Sequence, residues 1–266
     1  MKHKFTDIED EYIIKNYNTK TYKEIDKSLG LTEYQIKHRI QRHLKITLSK
    51  RKKHFYKYDV FKTENPNKYY ILGLIASDGN LYNDGYKNRY KVSISSNKSD
   101  RCILEKINSM ICDTKIVFDR KNQNLSELVL YDKVIYDEIK KYNINENKSL
   151  SLDYPNNIPL QYQKDFIRGY FDGDGSLSIS KKGNYEKLTI QFLGTKKFLS
   201  GIMNVINENL FISCKNILNT NSKIKSLRYF TKEARTIMNW LYSDENALKL
   251  NRKYDKYKQY IDKFND

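Results

Sequence analysis

Apolar positions recur along the chain with two different periods. In residues 5–46 the spacing is helical: Ile8, Tyr12 and Ile13 in IEDEYIIKNY, Tyr22, Ile25 and Leu29 in TYKEIDKSLG, and Ile36, Ile40 and Leu44 after Thr32. Three short helices are predicted. The second ends at Gly30, and the third is N-capped by Thr32, whose hydroxyl can accept from the free amides of a first turn. The third helix presents Gln35, Lys37, His38, Arg39 and Arg42 on its other face. Two helices joined through a glycine turn, the second with an amide-and-cation face, predict a helix-turn-helix DNA-binding domain over residues 1–46. A small structural bundle with a solvated Lys-rich face gives the same pattern.

From residue 69 onward the chain repeats itself. YYILGLIASDGN (69–80) aligns with DFIRGYFDGDGS (165–176), matching Gly73 with Gly169, Asp78 with Asp174 and Gly79 with Gly175 at an offset of 96 residues. After each motif come the same elements: a strand pair, an amphipathic helix (DRCILEKINSMI and KKFLSGIMNVINENL), a second strand pair and a last helix (DKVIYDEIKKY and KEARTIMNWLY). The duplication predicts one repeat over 67–160 and a second over 161–266. The strands alternate with period two. Tyr90, Val92 and Ile94 share one face and Leu188, Ile190 and Phe192 another, whereas Lys91, Ser93 and Ser95, and Lys187, Thr189 and Gln191 with Ser176 and Ser178, fall on polar faces. Such polar faces carry the donors and acceptors that read base edges, although a simply solvated sheet face looks alike.

Both motifs place Asp-Gly at the end of an apolar helix. The glycine is expected as an ordinary helix stop. The aspartate, however, sits where the helix dipole is already negative, which costs stability unless a cation is present. Gly73 and Gly169 permit close packing of the two helices, which would bring Asp78 and Asp174 to one end. Two facing ionised carboxylates call for divalent cations between them, and Mg²⁺ bound to carboxylate and phosphate oxygens supports phosphodiester cleavage.

Composition narrows the chemistry. The chain of 266 residues has 49 Lys and Arg against 32 Asp and Glu, a net charge of +17. Lysine supplies 39 of these cations, as codon bias alone would produce. Their distribution is uneven: residues 1–30 balance at 6 Lys against 6 acids, but residues 31–68 hold 11 Lys and Arg against 3 acids. Residues 47–66 include SKRKKH, have no sustained apolar period and read as a linker lying along phosphates, or as a solvated charge run. All four histidines (His3, His38, His43, His54) precede residue 55, so the repeats must manage without imidazole, which excludes His-metal and Ser/Cys-His chemistry there. Cys102, Cys112 and Cys214 lack metal-site spacing and read as reduced structural thiols. No apolar run is long enough for a membrane span or a leader, so a cytoplasmic protein is expected.

ILGLIASDG (71–79) and IRGYFDGDG (167–175), at this spacing and each followed by the same elements, resemble the two signature motifs of a single-chain LAGLIDADG homing endonuclease. The resemblance covers residues 66–262. It implies an α+β fold of two pseudo-symmetric αββαββα repeats whose paired sheets sit as a saddle in the DNA major groove. It also implies a monomer that cuts both strands of a long double-stranded DNA site with Mg²⁺, Mn²⁺ or Ca²⁺ being able to occupy the same sites. Carried over by position, Asp78 and Asp174 match the catalytic metal-binding acids, and Ser77 and Gly173 match positions whose carbonyl can add a metal ligand. Lys148, and less directly Lys253 with Arg252 and Lys249 nearby, match the basic residues that support the reaction. The first motif departs from the pattern at Ala76, where the second has Asp172, an inequality expected to bias which strand is cut first. On the same scaffold, a non-cleaving DNA-binding regulator and an RNA maturase assisting intron splicing remain alternatives. An organellar location follows if the gene is organelle-encoded. An intein is not expected, since the chain starts at Met1 and ends FND without a terminal His-Asn.

Overall fold

The structure, a computed structural model, describes residues 3–17, 20–44, 54, 56–85, 89–183 and 185–263. They belong to two compact units, Met1–Lys57 with Cys112–Lys115, and Tyr58–Ile111 with Ile116–Asp266.

The first unit contains α1 (Asp7–Asn16), α2 (Tyr22–Leu29) and α3 (Glu33–Arg42). Each begins with a reciprocal capping box, Thr6 with Glu9, Thr21 with Glu24 and Thr32 with Gln35, which satisfies otherwise free first-turn amides. Gly30 closes α2 at φ 66°, a left-handed conformation that suits glycine. Ile13, Ile25, Leu31, Ile36 and Ile40 form the core. Ile8 does not join it and is 79% exposed. Five residues separate it from Ile13, about 140° around a helix, so the two cannot share a face. Most of the basic stretch, residues 45–53 and 55, lies outside the described residues. Within the expected linker, Asp59–Lys62 forms a short helix, α4, which buries Phe61.

The second unit contains both repeats. The first comprises α5 (Pro66–Asp78), β1 (Gly79–Asn83), β2 (Tyr90–Asn97), α6 (Arg101–Ile111), β3 (Val117–Asp119), β4 (Leu125–Leu130) and α7 (Lys133–Lys140). The second comprises α8 (Gln163–Asp174), β5 (Ser176–Lys182), β6 (Tyr185–Gly194), α9 (Lys196–Leu210), β7 (Leu218–Asn219), β8 (Lys225–Phe230) and α10 (Thr231–Leu241). Each builds a four-stranded antiparallel sheet, ordered β1-β2-β4-β3 and β5-β6-β8-β7. Val92, Ile94, Leu128 and Leu130 are buried from the first sheet, and Leu188, Ile190, Phe192, Leu227 and Tyr229 from the second.

A final helix, α11 (Asn251–Asp262), follows the second repeat and is not predicted by its apolar pattern. Its buried residues are Lys253, Tyr257 and Tyr260, a stripe that reads as polar in sequence. Among the described residues, no helix is long and apolar enough to cross a membrane. Cys112 is buried, but Cys102 and Cys214 are exposed free thiols, so the expectation of structural thiols fails for these two.

Candidate active site

Helices α5 and α8 cross with almost no space between their backbones. A Cβ on Gly73 would lie 2.0 Å from the Phe166 carbonyl oxygen, and one on Gly169 would lie 2.0 Å from that of Tyr70. Only glycine fits at either position. The crossing carries the helix ends together: a Cβ on Gly173 would lie 1.9 Å from Ser77 Oγ and 3.0 Å from Asp78 Oδ2. Asp78 and Asp174 therefore terminate neighbouring helices, each adding a carboxylate to a negative dipole end.

Gly79 and Gly175 are not left-handed helix stops. Their φ values are −85° and −76°, extended conformations open to any residue. Glycine is needed there because the chain doubles back over the last turn: a Cβ would meet the Ile75 carbonyl oxygen at 2.5 Å in one repeat and that of Phe171 at 2.4 Å in the other.

The electrostatics of the two acids follow from this placement. Burial, and then the neighbouring charge of Asp174, push Asp78 up to about 6, with Lys253 and Lys148 opposing. Burial also raises Asp174, again opposed by Lys148 and Lys253. Neither carboxylate has a hydrogen-bond or ion-pair partner among the described residues; both residues are exposed to solvent, which tempers the effect of burial on their protons. Two buried acids in this unit are paired, Asp165 with Arg168 at 2.7 Å and Asp100 with Arg252 at 3.1 Å.

Lys148 and Lys253 both approach the motif ends, but differently. Lys148, in a one-turn 3₁₀ segment (Lys148–Leu150), donates to the Gly79 carbonyl. Lys253, on α11, lies within donating distance of the Phe171 (2.6 Å), Asp172 (2.7 Å), Gly173 (3.3 Å) and Gly175 (2.5 Å) carbonyl oxygens. An ammonium has three protons, so Lys253 is saturated while Lys148 retains donors. Burial lowers both, Lys253 to about 8. Lys249 lies over Tyr254 and bonds the Glu245 carbonyl, away from these groups. A cavity of about 280 Å³ opens beside Asp174, lined also by Ser77, Lys148, Tyr170 and Thr195.

Asp172 is turned away from the pair of motif-end carboxylates, although its charge acts on Lys253. It is fully enclosed and accepts from Tyr70 Oη (2.8 Å), Tyr242 Oη (2.6 Å) and Leu250 N (2.8 Å). Its carboxylate ties α5, α10 and the entry to α11 to the second motif. The extra acid of the second motif therefore acts on Lys253 and has no counterpart acting on Lys148, and it adds a difference in scaffolding.

Residues selected for nucleic-acid contact fall in separate places. In the second unit, register places Ser176 opposite Gln191, Ser178 opposite Thr189 and Ser180 opposite Lys187, a shared polar face. In the first sheet Lys91, Ser93 and Ser95 share the face of Asn80 and Tyr82, although Ser93 is buried. On α3, Gln35 is occupied in the capping box, and Lys37 Nζ lies 3.5 Å from Glu33 and over the Tyr22 ring. His38 neighbours Tyr34 and His43, and Arg42 is exposed. Arg39 turns inward instead, with Nε and Nη2 at 2.8 and 2.5 Å from the Asp10 carboxylate and its guanidinium over Phe5. Sequence reasoning missed Glu127 and Arg228 on the sheet faces and Arg120 in the turn after β3; strict alternation within β4 and β8 would have found Glu127 and Arg228.

Among the described residues no three His, Cys, Asp or Glu side chains gather as an all-protein metal cage. The two unpartnered carboxylates nevertheless fit Mg²⁺, which commonly takes one or two carboxylates and completes its shell with phosphate and water oxygens.

No family model matches the chain, and no curated protein matches it in sequence. Solved structures do match. The chain is similar to meganuclease I-SmaMI bound to uncleavable DNA (14% identity, 76% of this chain and 89% of that chain, TM-score 0.53). It is also similar to the LAGLIDADG homing endonuclease I-LtrWI bound to target DNA (12%, 75% and 91%, TM-score 0.50). A third is I-GzeII, a LAGLIDADG homing endonuclease in complex with its DNA target (14%, 75% and 89%, TM-score 0.51). With its duplicated sheets and glycine-crossed motif helices, the chain has the LAGLIDADG homing endonuclease fold.

Proposed function

We propose that the protein is a site-specific endonuclease that hydrolyses both strands of a long double-stranded DNA site. The observation that carries this reading is the pair of partnerless carboxylates, Asp78 and Asp174, at the glycine-packed crossing of α5 and α8. Asp78 and Asp174, with the carbonyls of Ser77 and Gly173, would hold divalent cations, Mg²⁺ in the first instance and Mn²⁺ or Ca²⁺ as substitutes. When bound, such ions activate water and stabilise the leaving oxygen of a phosphodiester.

The remaining roles belong to the chain. Lys253 fixes the Phe171, Asp172 and Gly175 carbonyls at the end of α8, and Lys148 holds Gly79 while keeping donors for a phosphate oxygen or a water. The polar sheet faces would read base edges, and the three-helix unit would act as a helix-turn-helix that extends the site through Lys37, His38 and Arg42. A cytoplasmic or organellar location, wherever the target DNA resides, is part of the same proposal.

The test is to incubate the protein with a randomised duplex library and Mg²⁺ and to sequence the cut ends. A discrete long site cut on both strands is expected. Binding without cutting under every divalent cation would favour a regulator, and preference for structured RNA over duplex would favour a maturase.

A further inference from the structure

The two sheet faces carry opposite charges at one matched position. Strand register sets Ser95 opposite Glu127 in the first sheet and Gln191 opposite Arg228 in the second. Arg228 is exposed, its Nε 3.2 Å from Ser226 Oγ, which also receives Gln191 Nε2 at 2.9 Å. Glu127, by contrast, is 2% exposed, an acid set between Ser95 and Phe118 of the neighbouring strands. Its carboxylate is flanked by Lys91 Nζ at 3.6 Å and by Arg120 Nη2, an ion pair that leaves the buried Oε2 without a hydrogen bond. Arg120, in the turn after β3, keeps 48% of its side chain exposed.

A carboxylate on a surface that faces phosphates weakens attraction to any duplex, whatever its sequence. It also tethers a guanidinium that would otherwise swing to the nearest phosphate, a contact carrying no sequence information. A guanidinium fixed in direction can instead make the bidentate contact to guanine O6 and N7.

Resting on the proposed DNA-endonuclease reading, we infer that Glu127 is a specificity-determining positioning residue. It holds Arg120, with Lys91 beside it, as a fixed guanine reader for one half of the site, as Arg228 beside Gln191 and Ser226 serves the other half. The acid lowers general affinity and raises discrimination.

The experiment uses the full chain with a randomised duplex library in Ca²⁺, sequencing the bound fraction, and measures affinity for duplex of random sequence in parallel. Glu127→Gln is expected to bind random duplex several-fold more tightly while guanine preference falls about tenfold or more at a position in one half-site only. Arg120→Ala, a change at a half-exposed side chain, should lose the same preference without the gain in general affinity, and Arg228→Ala should lose guanine preference in the opposite half. Unchanged preference in Glu127→Gln, or in Arg120→Ala if the first variant does not fold, would overturn the inference. So would an equal loss in both halves, which marks general loosening of the sheet. Wild-type protein that selects no discrete duplex would instead overturn the endonuclease reading beneath it.

Discussion

Lys253 Nζ lies 2.5 Å from the carbonyl oxygen of Gly175, and the same ammonium serves three further carbonyls at the end of α8. Lys148, its counterpart by sequence, serves Gly79 alone. The two lysines should therefore fail differently. Lys253→Met leaves buried carbonyls without a donor and should destabilise the protein by about 2–3 kcal/mol in urea denaturation, charged hydrogen bonds being worth about that much. Lys148→Met should cost less stability and more catalysis, lowering kcat with little change in DNA affinity. Equal stability losses in the two variants would contradict this division.

Asp78 gives a pH-dependent signature. Its folded-state value of about 6 lies above its ordinary carboxylate value, so the folded protein binds this proton more tightly than the unfolded chain does. The favourable contribution is complete below about pH 4 and is lost as pH rises through about 6. Asp78→Asn should therefore stabilise the metal-free protein by about 1 kcal/mol at pH 7.5, a figure reduced for the side chain's solvent access, and by nothing measurable at pH 4. Denaturation curves at both pH values check this; the same gain at each would show that burial of the ionised carboxylate, with the neighbouring charge of Asp174, is not the cause.

Asp172 and Asp174 are two residues apart and should behave as different kinds of acid. Asp172→Asn weakens its acceptance from Tyr70, Tyr242 and Leu250 and should cost about 1–3 kcal/mol of stability, with cation binding unchanged by calorimetry. Asp174→Asn should weaken cation binding without a comparable loss of stability. Loss of cation binding in Asp172→Asn at a temperature where it remains folded would mean that it reaches the site.

On α3, Arg39 and Arg42 divide in the same way. Arg39→Ala removes the clamp on Asp10 and should lower the melting temperature of the helical unit. Arg42→Ala should leave melting unchanged, weaken duplex binding and reduce the salt dependence of affinity by about one charge. Salt dependence unaffected by Arg42→Ala would remove this helix from the proposed DNA interface.

The repeat arrangement was legible because duplication prints the same pattern twice: glycines at the crossing, aspartates at the helix ends and alternating strands all recur at matched positions. What the sequence obscured depends on long-range partners. Asp172 read only as an extra charge in the second motif because only the fold brings Tyr70, Tyr242 and Leu250 around it. Arg39 looked free because Asp10 lies 29 positions away in the chain. Gly79 looked like a helix cap because Asp-Gly after an apolar helix is the usual signal for one, whereas steric room over Ile75 is invisible in sequence. Helix α11 escaped notice because its buried stripe is tyrosine and a carbonyl-bonded lysine.

The most direct test of the account measures cleavage of the selected duplex by wild type, Asp78→Asn and Asp174→Asn in Mg²⁺, with binding followed in parallel by mobility shift. Both variants are expected to bind the site while double-strand cleavage is abolished. Wild-type cutting rates in either variant would contradict the central claim that these two carboxylates carry the reaction.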